Sequence, residues 1–248
     1  MKPVDFFLIR GLAREAAHWG DFTQKLKEQK YSGEVIPLDL PGAGRYHKLT
    51  SPLTISENAD FLLSHLPQEV KRPRVILSIS LGSMIALEMA RKAPHLFQQI
   101  YVMNTSLSNL SPLHHRLQLK ALRRMVEIIL QRDVRQREIE ILKMVSQKPQ
   151  VWDSLLDSFV EAAVERPISI QNVLRQLVAA SIYKVSESKP QCSIQVLNSY
   201  GDEMVNPSCS EVLAKHWKLP LHSHPSAGHD IAIDAPDWIL DVLSQTLN

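Results

Sequence analysis

Arg74-Val75-Ile76-Leu77-Ser78-Ile79-Ser80-Leu81-Gly82-Ser83-Met84-Ile85-Ala86-Leu87-Glu88-Met89-Ala90 is the stretch from which the rest of the chain can be read. It opens as a β-branched and apolar run, breaks at small residues, and resumes with Leu81, Ile85 and Met89 at helical spacing. The pattern predicts a strand that turns sharply into a helix at Ser80. Written S-x-S-x-G, it has the layout of a nucleophile elbow, in which a tight turn holds a hydroxyl above the sheet edge. The N–H of Leu81 then points at the same spot from the positive end of a helix. A serine so placed can attack a carbonyl and have its oxyanion stabilised where it forms. The same pattern also occurs in chains that do no chemistry, so the partners must be found elsewhere.

The chain has 248 residues, enough for one α/β domain with a full core. Its 44% hydrophobic and 22% charged content is that of an ordinary globular protein and excludes a disordered one. A net charge of +2, with few aromatics, argues against nucleic acid as a partner. Cys192 and Cys209 are the only cysteines, too few for a disulfide framework. Residues 1–12 lack the long uncharged core of a signal peptide, and no apolar run reaches the roughly 20 residues needed to cross a bilayer. The expectation is a soluble, cytoplasmic protein with no membrane span.

Outward from the elbow, Phe6-Phe7-Leu8-Ile9 reads as a strand buried on both faces. Trp19, Phe22 and Leu26 predict a helix over 19–29. Glu34 to Asp39 is a second strand, followed by the Pro/Gly loop Pro41-Gly42-Ala43-Gly44. Thr54 or Ser56 caps a helix to about His65, and Ile100 to Asn104 is a fourth strand. After the next helical segment come the strands Ile194–Leu197 and Leu221–His224, a helix over 208–216 between them, and a closing helix opened by Pro236. Strands alternating with helices in this rhythm form a mostly parallel sheet covered on both sides, with sites at the carboxyl ends of the strands. From Leu107 to Val185 no strand is predicted; three to five helices there form a cap. The expected division is a core of 1–106 and 186–248 with a helical cap of 107–185. Between Leu113 and Lys148, nine Lys or Arg face four Asp or Glu, a surplus of five positive charges. That surplus reads as a solvated helical face, with attraction of an anionic substrate or acidic acyl carrier as the alternative.

A serine hydroxyl becomes a nucleophile at neutral pH when an imidazole takes its proton and a carboxylate orients the imidazole. Asp202 and His229 each follow a late strand, in the order Ser, Asp, His. With those residues in place the chain resembles the α/β-hydrolase superfamily, in its capped serine esterase-like branch. Leu38-Asp39-Leu40-Pro41-Gly42-Ala43-Gly44 is similar to that family's D-x-P-G-x-G loop, Gly201-Asp202-Glu203-Met204-Val205-Asn206-Pro207 to its acid loop, and Gly228-His229 to its histidine loop. The resemblance implies an α/β-hydrolase fold with about six strands, lacking the family's first hairpin. It implies Ser80 as nucleophile, His229 as general base and acid, Asp202 as its orienting partner, and an oxyanion hole from the N–H groups of Leu12 and Leu81. Arg10 stands where the family has histidine before Gly11; it either ties down the loop or meets a substrate anion. His18, beside that loop, is either a substrate contact or a partly exposed helix-start residue.

His222, His224, His114 and His115 have no companion ligands at metal spacing, so no metal is expected. No phosphate-binding glycine motif is present and no cofactor is expected. Met125, Ile129, Leu155, Phe159 and Leu177 either line an apolar acyl pocket or pack the cap helices. The leading expectation is a hydrolase of carboxylic esters, or thioesters, of small to medium acyl groups acting through an acyl-enzyme. The alternative is a lyase or synthase on the same fold, abstracting a proton from an anionic substrate as in the menaquinone-pathway branch.

Overall fold

The computed structural model describes residues 2–247; Met1 and Asn248, the ends of the expected core, lie outside the described residues. Six strands, β1 (Val4–Ile9), β2 (Ser32–Leu38), β3 (Arg74–Ile79), β4 (Gln99–Met103), β5 (Ser193–Ser199) and β6 (Leu221–His224), form one sheet in the order β2-β1-β3-β4-β5-β6. Every neighbouring pair is parallel, so all carboxyl ends lie along one edge. Side chains alternate across a strand. In β1 and β3, Phe7, Ile9 and Ile76 enter the core on one face while Phe6, Leu8, Val75 and Leu77 enter the core on the other. Burial on both faces is why these strands read as unbroken apolar runs.

Helices α1 (Phe22–Lys27), α2 (Ile55–Ser64) and α3 (Leu81–Lys92) fill the first half of the chain. Thr54 caps α2 by accepting from the Glu57 N–H at 3.1 Å. The helix expected over 19–29 is shorter: a 3-10 turn covers Ala16–Trp19 and α1 starts at Phe22, because Gly20, at φ 52°, breaks the chain between them. Between β4 and β5 lie α4 (Leu113–Arg116), α5 (Leu119–Leu130), α6 (Val134–Val145), α7 (Trp152–Glu165) and α8 (Ile170–Ile182). They form the helical insertion over the strand ends. Helices α9 (Ser208–Trp217), α10 (Ile231–Asp234) and α11 (Pro236–Thr246) complete the fold; α10, directly after the His229 loop, has no counterpart in the sequence reading. This is the α/β-hydrolase fold.

Candidate active site

Ser80 links β3 to α3 with φ 56° and ψ −120°, a conformation that is costly for a residue with a Cβ and is held by its surroundings. Ser83 Oγ donates to the Ser78 carbonyl at 2.9 Å and accepts from the Met103 N–H at 3.1 Å, and Thr105 donates to the Ser80 carbonyl at 3.0 Å. Ser78, where the elbow's first glycine is usual, donates to the Tyr101 carbonyl at 2.8 Å and fits without displacing the turn. The second small position is stricter. A Cβ on Gly82 would lie 2.5 Å from the Ile9 carbonyl oxygen and 2.6 Å from that of Arg10, so only glycine lets α3 start this close to the end of β1.

That closeness brings the loop after β1 against the serine. Gly11 packs on Ser80, where an added Cβ would meet the Ser80 Cβ at 3.1 Å. Leu12 and Leu81 flank this contact. Leu81 is the first residue of α3 and has no carbonyl a turn earlier to bond; among the described residues neither its N–H nor that of Leu12 has an acceptor. The loop is tied down along its length. Ala13, at φ 57°, donates its N–H to Gln176 of α8 at 2.9 Å, and the Ala16 N–H reaches Asp39 at 2.8 Å. Arg10 is buried at 3% exposure and grips Asp230 with both terminal nitrogens while its guanidinium lies 4.9 Å from the Trp19 ring centre. This pair ties the loop after β1 to the His229 loop, and Arg10 is also among the residues lining the cavity beside Ser80.

Asp202 and His229 meet at the ends of β5 and β6. His229 Nδ1 donates to Asp202 Oδ2 at 2.7 Å, and Asp202 Oδ1 accepts from the Met204 and Val205 N–H groups at 2.8 and 2.9 Å. With Nδ1 protonated and engaged, Nε2 is the nitrogen left as a base. Burial pushes the His229 imidazolium towards lower pKa, but the Asp202 charge and its hydrogen bond, helped by Asp230, outweigh burial and leave it above the ordinary histidine value. Ser80 and His229 line one cavity of about 180 Å³, with Leu12, Met125, Ile128, Ile129, Ile141 and Met144 among its apolar walls. Of the cap residues singled out in the sequence, Met125 and Ile129 line this cavity, whereas Leu155 and Phe159 pack with Leu142 and Ile233, and Leu177 against the cluster around Ala121.

His18 also lines the cavity but is buried, with 4% exposure, instead of partly exposed. It lies against Phe159, ring centres 4.8 Å apart, and its Nδ1 accepts from the Glu15 N–H at 3.0 Å. Burial, with Arg14 and Arg10 nearby, holds it well below the usual histidine pKa and therefore neutral. His222 and His224 are hydrogen-bonded elsewhere, to Gln195 and to the Ser226 and Ala227 N–H groups.

Three side chains that position the His229 loop escaped the sequence reading. Asn104, at φ 44°, donates to the His229 carbonyl and to Ser199 Oγ, both at 2.9 Å, and accepts from the Ser199 N–H at 3.0 Å. Asp230 holds Arg10. Asp234 accepts from the Gly228 N–H and from the cap's Gln147 N–H, each at 2.7 Å, and from Ser146 Oγ. Asn104 at a strand end was the one visible signal; the partners of Asp230 and Asp234 are too distant in sequence to have been paired.

Comparison with known proteins assigns this six-stranded parallel sheet with its helical insertion to a family. Residues 6–242 match the alpha/beta hydrolase family, and the chain is a member of it. Among solved structures it is similar to a membrane phospholipase A described as a bacterial virulence factor (TM-score 0.79, 20% identity, covering 98% of this chain and 78% of that one). It is also similar to a lipase-esterase related protein from Clostridium acetobutylicum (0.75, 14%, covering 99% and 95%) and to the RedJ thioesterase of prodiginine biosynthesis from Streptomyces coelicolor (0.68, 17%, covering 99% and 87%). At these identities the likeness is one of fold. No curated protein matches the sequence.

Proposed function

We propose that the chain is a serine hydrolase that cleaves carboxylic esters, or thioesters, of small to medium acyl groups. The observation that carries this reading is the 2.7 Å His229–Asp202 hydrogen bond beside a strained Ser80 in a shared, mainly apolar cavity. His229 Nε2 takes the Ser80 proton as Oγ attacks the acyl carbonyl, and the N–H groups of Leu12 and Leu81 hold the oxyanion. His229 then gives that proton to the leaving alcohol or thiol, and water, deprotonated by the same nitrogen, releases the acid. A cavity of about 180 Å³ is comparable to the roughly 150 Å³ engineered site that holds benzene, which suits a short or medium acyl chain. Esterase and thioesterase names among the structural neighbours agree with this substrate class.

The lyase alternative needs a pocket that attracts an anion. Arg10, Arg14 and Arg166 in the cavity wall are paired with Asp230, Glu138 and Glu15, so most of its positive charge is neutralised and hydrolysis is favoured. Turnover of nitrophenyl acetate and butyrate, with fluorophosphonate labelling that disappears in Ser80→Ala, tests the proposal. A protein that resists the fluorophosphonate while converting a polyanionic substrate would overturn it.

A further inference from the structure

Helix α8 is built inside out. Its buried residues are Asn172, Gln176 and Ala179, and the two polar ones are bonded inward: Asn172 Oδ1 accepts from the Ser51 N–H, and Gln176 Oε1 from the Ala13 N–H. Of its six large apolar side chains, Val173 and Leu177 face the cavity and the Ala121 cluster, whereas Ile170, Leu174, Val178 and Ile182 are 56%, 52%, 45% and 55% exposed. Helix α5 repeats the theme. Ala121, Met125 and Ile128 satisfy the interior, yet Leu119, Leu122, Val126 and Leu130 remain 63%, 45%, 52% and 74% exposed along the opposite side. Single exposed leucines are ordinary, but two helices that each turn a row of four to the outside make a surface with a partner.

Both helices also contribute to the wall of the cavity that Ser80 lines. Ile129 from α5 and Ile170 and Val173 from α8 belong to its wall, and Ile170 is at once wall and surface. The charge beside the α5 row is positive. Residues 119–132 carry Lys120, Arg123, Arg124 and Arg132 against Glu127 alone, and Arg123 and Arg132 have no ion pair among the described residues. No described helix is long and apolar enough to cross a membrane. A helix with an apolar row and a basic flank lies on an anionic bilayer, its apolar side chains in the acyl boundary and its cations among the headgroups.

We propose that the outer faces of α5 and α8 form a docking rim beside the cavity whose partner is an anionic phospholipid surface. The rim lets an acyl chain pass from the bilayer into the cavity without crossing water. A second copy of this chain is the weaker occupant, because a two-fold contact through α5 would oppose its own unpaired guanidinium groups. The proposal rests on the hydrolase reading only for what enters the cavity; docking itself needs no turnover.

The test is co-sedimentation of Ser80→Ala protein with vesicles of phosphatidylglycerol and phosphatidylcholine, and with phosphatidylcholine alone. Binding to the anionic vesicles is expected, weakening as salt is raised. It falls at least about tenfold in Leu122→Gln/Val126→Gln/Leu174→Gln, a variant whose exposed positions leave its melting unchanged. Arg123→Gln/Arg132→Gln is expected to lose the preference for anionic over neutral vesicles. Absence of vesicle binding, or equal binding by the triple glutamine variant, overturns the proposal; a dimer that this variant abolishes would assign the face to a second copy instead. Vesicle binding without fluorophosphonate labelling of the parent protein refutes the hydrolase reading alone, and labelling without vesicle binding refutes the docking rim alone.

Discussion

Replacing Asp230 by asparagine removes the anion from a pair whose side chains are each 4% exposed, and leaves the Arg10 guanidinium charged in a dry site. Arg10 Nε already lacks a partner there, so little local bonding takes over. Breaking one side of a buried pair costs about 3–5 kcal/mol, because the remaining charge keeps its desolvation penalty. At about 2–4 °C per kcal/mol for a chain of this length, Tm falls by roughly 6–20 °C. Removing both partners is different: in Arg10→Met/Asp230→Leu no charge is stranded, and the methionine can still cover the Trp19 ring that Arg10 approaches at 4.9 Å. The double variant therefore melts close to the parent, and the coupling energy between the two sites is several kcal/mol. Activity reports the same pair independently. Asp230 raises the His229 pKa and Arg10 lowers it, so Asp230→Asn moves the acidic limb of kcat/KM to lower pH and Arg10→Met moves it to higher pH. Thermal melts at pH 7 and kcat/KM profiles on nitrophenyl butyrate measure both effects. Single variants within about 0.5 kcal/mol of the parent, or a double variant no more stable than the worse single one, would refute the pairing as the anchor of the loop.

In the parent protein a base must be neutral to act, and a raised pKa keeps His229 protonated further up the scale. The acidic limb of kcat/KM therefore lies above pH 6.5. In Asp202→Asn the chief raising influences vanish and burial prevails, so the limb moves down while kcat falls by about three to four orders of magnitude as the imidazole loses its tautomer. Gly82→Ala forces a methyl against two backbone carbonyls at 2.5 and 2.6 Å, and a denaturant titration is expected to show a loss of about 1–3 kcal/mol. Asn104→Ala orphans the Ser199 N–H and the His229 carbonyl, costing about 2–3 kcal/mol in the same titration and lowering kcat more than it raises KM. Met125→Trp fills part of the cavity, so activity on octanoate esters drops at least about tenfold more than on acetate esters; an unchanged chain-length profile would remove Met125 from the acyl site.

Much of the fold was legible because its signals are local. The switch from β-branched run to helical spacing at Ser80, and the Pro/Gly punctuation after Leu38 and before Thr54, each lie within a dozen residues. The loops bearing Asp202 and His229 could be placed because a parallel sheet puts every strand's carboxyl end on one edge. What stayed hidden depends on distance or on direction. Arg10 and Asp230 are 220 positions apart in the sequence, and no local pattern pairs them. The φ of Gly20 split one expected helix, since a glycine after Trp19 is compatible with either a break or a continuation. Periodicity announces a stripe without saying what it faces: Met125 and Ile129 line the cavity, Phe159 packs the cap, and the row from Ile170 to Ile182 points outward.

Asp234 binds the backbone on both sides of the cleft, Gly228 beside the histidine and Gln147 at the end of α6. The roof is thus a jig for the machinery beneath it as well as a sieve for what enters. A lid exchanged between relatives is therefore expected to disturb the His229 loop unless its junction keeps a hydroxyl at 146 and a backbone N–H at 147 against Asp234.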